Sequence, residues 1–233
     1  MDAILFAEET DITTLSKEKT SRLLWLGRYS ERAYITLHLL RKYNDKMIDE
    51  DDQAYAGFCN KMGIVNQYES SSDFMNRYLY DRENPDSLIS MLNNANDNAI
   101  VLREEITSET LSYIQMAICH LAGCVEKRCD ILELQDITDN LLAFWGSIDE
   151  RIMSSSLRCV LKTGKLLESI DLHLRFDYSF VRVHSLFNAL KDLIVKERLI
   201  FDEEILTRLQ SLMTVSDYRS PESLLLVNRL FCV

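Results

Sequence analysis

Two prolines and six glycines in 233 residues leave this chain almost without helix breakers. Turn-forming dipeptides between alternating apolar runs are scarce as well, so nothing in the sequence calls for strands. No apolar run approaches the roughly 20 residues that span a bilayer. The start, Met1-Asp2-Ala3-Ile4-Leu5-Phe6-Ala7-Glu8-Glu9, lacks the basic region and long apolar core of an export signal. Positive charge is short: 26 Lys and Arg stand against 37 Asp and Glu, and the net −11 repels phosphate backbones and anionic lipid. Nucleic acid and membrane are therefore not expected as partners, and the expected location is the cytoplasm. Gly-rich phosphate loops, Gly-x-Ser-x-Gly elbows and a paired Cys/His nucleophile signature are missing too.

The six cysteines, at 59, 119, 124, 129, 159 and 232, read as buried thiols rather than a disulfide framework. His120 and Cys124 share a helix face, but steps of five scatter Cys119, Cys124 and Cys129 around the axis, which does not suit zinc. A di-iron bundle requires Glu-x-x-His, and that pattern fails: Tyr34 follows Glu31 by three residues and Asp171 follows Glu168. A looser site of Glu31, Glu168, Asp171 and His173 would point His173 elsewhere on its helix. No metal and no other cofactor is expected.

What the chain does contain is helical periodicity and one local pattern written twice. From Ser21 to about Lys46 the positions Leu23, Leu26, Ala33, Leu37 and Leu40 form an apolar stripe, with Gly27, Glu31, Tyr34 and His38 beside it. Glu31 is expected to be half-buried where a neighbouring helix crosses over Gly27. Shorter helices are predicted near 55–62 and 72–80. Asn84 reads as an N-cap with Pro85 in the first turn, leading into the seam Leu88, Leu92, Ala95, Ala99, Leu102 and Ile106. Further helices are predicted over 111–129, over 136–153 with Gly146 as a close-packing point, from the cap Ser154-Ser155-Ser156 through Leu174, over 177–196, over 203–213 and from Pro221 onward. Gly27-Arg28-x-x-Glu31 returns 137 residues later as Gly164-Lys165-x-x-Glu168, and Asn84-Pro85-Asp86-Ser87-Leu88 returns 136 residues later as Ser220-Pro221-Glu222-Ser223-Leu224. The expected fold is an all-α helical bundle of two related units: an N-terminal segment 1–20, a first unit 21–153, and an incomplete second unit 154–233 packed with the first as one domain. A buried carboxylate needs a basic partner, so Glu31 is expected to pair with Arg28 or Arg32, and Glu168 with Lys165. Two such helices meeting about a local twofold would also bring the two Glu near each other in a polar pocket.

Trp25-Leu26-Gly27-Arg28-Tyr29-Ser30-Glu31-Arg32-Ala33 resembles the signature of the bacterial alpha-E family, a helical domain of uncharacterised function. Asn84 to Leu88, Ala95 to Ala99, Arg103 to Glu109, Gly146 and Gly164 to Glu168 resemble its later stretches, so the likeness covers most of the chain from Leu23. The resemblance implies a genetic setting beside a circularly permuted ATP-grasp ligase and a transglutaminase-like protein, and hence a part in forming or modifying peptide or amide bonds. It marks Trp25, Gly27, Arg28, Glu31, Arg32, Asn84, Pro85, Ser87 and Gly164 as motif positions and carries over no catalytic residue. Usual members continue past this chain's end and repeat Gly-Arg-x-x-Glu-Arg. Here the second copy has Lys165 and Ser169, and Asn96 and Ile100 stand where basic residues are common.

Three functional readings follow. The first is a non-catalytic interaction or scaffold subunit that docks on an ATP-grasp-type ligase, on another peptide-modification protein or on a second copy of itself. Its interface would be the apolar end Leu224, Leu225, Val227, Leu230 and Phe231, left uncovered by the missing helices. The second is an enzyme or substrate-binding subunit whose pocket is formed by Arg28, Glu31, Arg32, Lys165 and Glu168. The third is a metal-binding carboxylate bundle.

Overall fold

Ser16 accepts a hydrogen bond from the backbone N–H of Lys19, so the first helix, α1 (Lys17–Asp49), starts four residues before the expected Ser21. The computed structural model describes residues 15–127, 133–197, 199 and 201–231. Among these lie ten further helices and no strand: α2 (Ala54–Met62), α3 (Ser71–Tyr80), α4 (Leu88–Val101), α5 (Arg103–Ile106), α6 (Ser108–Lys127), α7 (Gln135–Arg151), α8 (Ser155–Arg175), α9 (Phe180–Glu197), α10 (Glu203–Leu212) and α11 (Pro221–Arg229). The protein is all-α, and no helix among the described residues is long and apolar enough to cross a membrane.

The predicted stripe of α1 is buried at every position, from Leu23 to Leu40; of the stripe beside it, Gly27 and Glu31 are buried along with Arg28, while Tyr34 is half-buried and His38 exposed. A helix that buries two faces must be central, and α1 packs against α8, α4, α2 and α7. Its N-terminal third, Leu23, Leu24 and Leu26, joins one apolar core with Ala95, Phe144, Leu161, Ile170 and Phe187. From Ala33 to Leu40 it joins a second core with Phe58, Phe74, Tyr78, Leu92 and Leu141. Between the two, Arg28, Ser30, Glu31 and Arg32 form a polar layer.

That layer is set by how closely α1 and α8 approach. A Cβ on Gly27 would overlap the carbonyl of Leu161, and a Cβ on Gly164 would overlap the carbonyl of Leu24. The two clashes are reciprocal, and each residue on α1 is matched by the residue 137 positions later on α8. Only glycine permits this backbone-on-backbone crossing. Gly146, by contrast, has open space where its Cβ would stand, so it is not the close-packing point that its sequence position suggested.

The seam on α4 is buried at all six predicted positions, although the helix is interrupted at Leu102 before the short α5. The Asn84 motif is a turn, not a helix start. Asn84 Oδ1 accepts from the Asp86 N–H, and Ser87 caps α4 by accepting from the Ser90 N–H. In the second copy the helix begins at Pro221, capped by Ser220. Of the cysteines, Cys59, Cys124 and Cys159 are buried, Cys119 is exposed on α6, and Cys129 and Cys232 lie outside the described residues.

The C-terminal helix does not present the expected apolar face. Val227 and Leu230 are buried in the first core, Leu224 and Phe231 pack partly against it, and only Leu225 is exposed. The chain covers these residues itself, because α11 lies across α8 and α10.

Gly27→Ala and Gly164→Ala are each expected to cost about 3 kcal/mol by forcing α1 and α8 apart. Gly146→Ala should gain up to about 1 kcal/mol through helix propensity alone. Urea unfolding of the three variants distinguishes crossing glycines from a merely helical one. Deletion of 224–233 is expected to lower the melting temperature sharply, since it removes Val227 and Leu230 from the core.

Candidate functional site

The crossing exchanges the two carboxylates. Glu168 of α8 accepts from Arg28 Nε at 2.8 Å and from Arg32 Nε at 2.5 Å, both on α1. Glu31 of α1 accepts from Ser169 Oγ of α8 at 2.7 Å and has the Lys165 ammonium 3.9 Å away. Each Glu is thus paired by the other copy's basic residues and not by its own, contrary to the pairing expected from sequence. A side chain four residues on in the same helix lies above its own turn, whereas a facing helix in close contact puts its cations directly opposite.

The Glu168 side is closed. Both its oxygens are occupied, and Arg28 also donates to Asn228 Oδ1 at 2.6 Å. Asn228, from α11, donates in turn to Asp171 Oδ1, and Arg175 Nε donates to Asp171 Oδ2 at 2.6 Å. Trp25, half-exposed, covers Arg28 with its ring 5.1 Å from the guanidinium. Glu168 and Asp171 are committed to these partners, and among the described residues no group of three or more His, Cys, Asp or Glu converges as a metal ion would require. His120 is exposed, near Asp136.

The Glu31 side is open. A cleft of about 420 Å³ lies between α1, α7, α8 and α9, lined by Glu31, Tyr34, His38, Trp145, Lys165, Ser169, His173, Tyr178 and Arg182 among others. This volume falls in the range of small-molecule sites. Glu31 is 4% exposed, and its Oε2 accepts no hydrogen bond. Burial pushes its carboxyl above the ordinary range, with Lys165 and the Ser169 hydroxyl opposing. Burial likewise lowers Lys165, with Glu31 opposing, and the ammonium rests 4.2 Å from the Trp145 ring centroid.

His173 Nδ1 lies 2.6 Å from the Ser169 carbonyl, which can only accept, so Nδ1 carries the proton. Its Nε2 is therefore the acceptor, and Arg182 Nε approaches it at 3.5 Å. Burial and the Arg182 charge lower the pKa of His173 and keep the ring neutral, consistent with that assignment. The ring also packs on Tyr178 at 4.1 Å. His38, likewise lowered by burial and by Arg41, stands edge-on to Tyr34. The cleft thus holds one buried carboxylate with an unfilled acceptor, two cations and two neutral imidazoles. It can accept a proton or an N–H, and it can pair an anion.

Of the residues proposed from sequence, Glu31 and Lys165 meet in the cleft, while Arg28, Arg32 and Glu168 form the closed ion cluster on the other side. Trp145, Ser169, Tyr178 and Arg182 were not identified as site residues from sequence. Ser169 alone left a signal: it occupies the position 137 residues after Arg32, where the repeat would call for a base.

The chain is an all-helical domain with a Glu-Arg step at its central helix crossing, Glu31 buried and Arg32 half-buried. It belongs to the Alpha-E family, whose model, described as a predicted alpha-helical domain with a conserved ER motif, matches residues 19–220. Glu31-Arg32 is the Glu-Arg step of the signature quoted above. No curated protein and no solved structure matches the chain.

Glu168→Ala leaves Arg28 and Arg32 without their anion and is expected to cost about 3–5 kcal/mol in urea unfolding. The effect of Glu31→Gln should depend on pH. Because Glu31 is raised in the folded state, the wild-type acid contributes most below the ordinary carboxylate pKa of about 4.3 and loses that contribution as pH rises through the raised value. The stability difference between variant and wild type should therefore shift in favour of the variant across that window. A difference independent of pH would show that Glu31 does not titrate there.

Proposed function

We propose that this protein is a substrate-binding subunit of a cytoplasmic peptide- or amide-bond-forming system, holding its ligand in the cleft over Glu31 for an ATP-grasp-type ligase. The observation that carries the reading is the Glu31 carboxylate, buried on a central helix with one oxygen that accepts no hydrogen bond and an ammonium 3.9 Å away. Buried polar atoms are usually satisfied within the protein, and this one belongs to a residue that lines the cleft. The ligase and the bond type rest on the family resemblance.

The docking reading has less to stand on, because Val227 and Leu230 are already covered within the chain. We further propose that the reciprocal 137-residue matching of α1 and α8 reflects two related units, with α6 and α7 belonging to the first unit alone.

In a system reconstituted with the neighbouring ligase, Glu31→Gln is expected to reduce turnover by more than about tenfold. Its melting temperature should stay within about 4 °C of wild type. Turnover unchanged in this variant would remove the cleft from the reaction. Light scattering of the mixed proteins should give a one-to-one complex, and two independent species would remove the ligase as partner.

A further inference from the structure

The cleft shows solvent one sign of charge. Among the described residues that line it, Glu31 is the only acid, and it is buried, with one oxygen held by the Ser169 hydroxyl and the other shut off from solvent. The two bases are open: the Lys165 side chain is 35% exposed and Arg182 is exposed on α9. In a chain of net charge −11, a concave surface that presents two cations and no accessible anion is a local reversal of sign, and a cleft concentrates such a field.

The two bases are not equivalent. Lys165 has the Glu31 carboxylate 3.9 Å away and rests over the Trp145 ring, so its charge is already answered. Arg182 forms no ion pair among the described residues. Its Nε approaches Nε2 of His173 at 3.5 Å, and His173 is itself fixed by its Nδ1 on the Ser169 carbonyl and by its ring against Tyr178. The terminal nitrogens of Arg182 make no hydrogen bond among the described residues, so a held guanidinium keeps donors to spare. With Glu31 and Lys165 offsetting each other, the cleft carries one uncompensated positive charge. A monoanion balances it and a phosphate dianion would exceed it. The forked donors of a guanidinium match a carboxylate.

The remaining walls are apolar. Leu142, Leu166 and Leu186 stand with the rings of Tyr34 and Tyr178 around about 420 Å³, room for a small organic molecule, and an anion without an apolar body would leave these walls unused. We infer that the cleft receives a small aromatic carboxylic acid, its ring against these walls and its carboxylate on Arg182. Glu31 enters by compensating Lys165, which directs the carboxylate to Arg182 instead. The inference rests on the reading of the cleft as the ligand site and names the class of ligand.

Isothermal titration of the whole chain with 3-phenylpropionate, with 3-phenylpropionamide and with acetate tests it. The aromatic acid should bind at least about tenfold more tightly than either the amide, which lacks the charge, or acetate, which lacks the ring. Arg182→Gln, an exposed change that leaves the core intact, should bring the acid down to the affinity of the amide. Equal affinities for acid and amide, acetate binding as tightly as the aromatic acid, a preference that survives in Arg182→Gln, or no heat from the aromatic acid at millimolar concentration would overturn it. The turnover of Glu31→Gln in the reconstituted system separates the two levels. Its loss alongside any of those results keeps the cleft as the ligand site and withdraws only the aromatic acid; its retention alongside them withdraws both.

Discussion

The structure depends on one contact: the crossing of α1 and α8, where Gly27 lies on the Leu161 carbonyl and Gly164 on the Leu24 carbonyl. Two backbones this close leave no room for side chains at the crossing, so the residues next to the glycines and one turn further along each helix face the partner directly. Those residues are Arg28, Glu31 and Arg32 on one side and Lys165, Glu168 and Ser169 on the other. The exchange of carboxylates is a geometric result of the crossing. It also explains the division of the apolar interior, because a charged layer at mid-height of α1 separates the Leu23–Leu26 core from the Ala33–Leu40 core.

The two halves of the layer differ in one respect that matters. Arg32 gives Glu168 a second guanidinium, and α11 adds Asn228 to complete a network in which every oxygen of Glu168 and Asp171 is used. The position matching Arg32 in the other half is Ser169. A hydroxyl reaches one oxygen of Glu31 and no further, and Lys165 is 3.9 Å away on the face of Trp145. The shorter side chain leaves one oxygen of Glu31 without a donor at the border of the cleft. One half of the layer is therefore a structural ion cluster and the other a cleft, although both derive from the same Gly-base-x-x-Glu pattern.

Much of this was legible in the sequence. The repeated glycines announced a close crossing, the α4 seam was buried at all six positions named, and the all-helical class followed from the lack of breakers. The partner of each Glu was not legible, because local spacing favours a base on the same helix and only the crossing geometry puts the opposite helix nearer. The C-terminal apolar run read as an uncovered surface for a related reason: the sequence cannot show that α11 folds back across α8 and α10. Tyr178, just before α9, and Arg182, in its first turn, were invisible in principle, being ordinary residues that matter only through their contacts with His173. His173 itself was weighed solely as a metal ligand, whereas its neutral ring serves to hold an arginine.

The cost of the open half bears on its purpose. A buried acceptor left without a donor destabilises a protein by about 1–3 kcal/mol, and a buried carboxylate by more. The same fold demonstrates the remedy a short distance away, where an arginine in the matching position satisfies Glu168 completely. An arginine in place of Ser169 would offer Glu31 the second donor that Arg32 gives Glu168. A chain with serine there exchanges some core stability for a desolvated carboxylate at the border of the cleft. That trade is expected where local rules of satisfaction are broken for binding or chemistry, and has no counterpart in a purely structural ion pair.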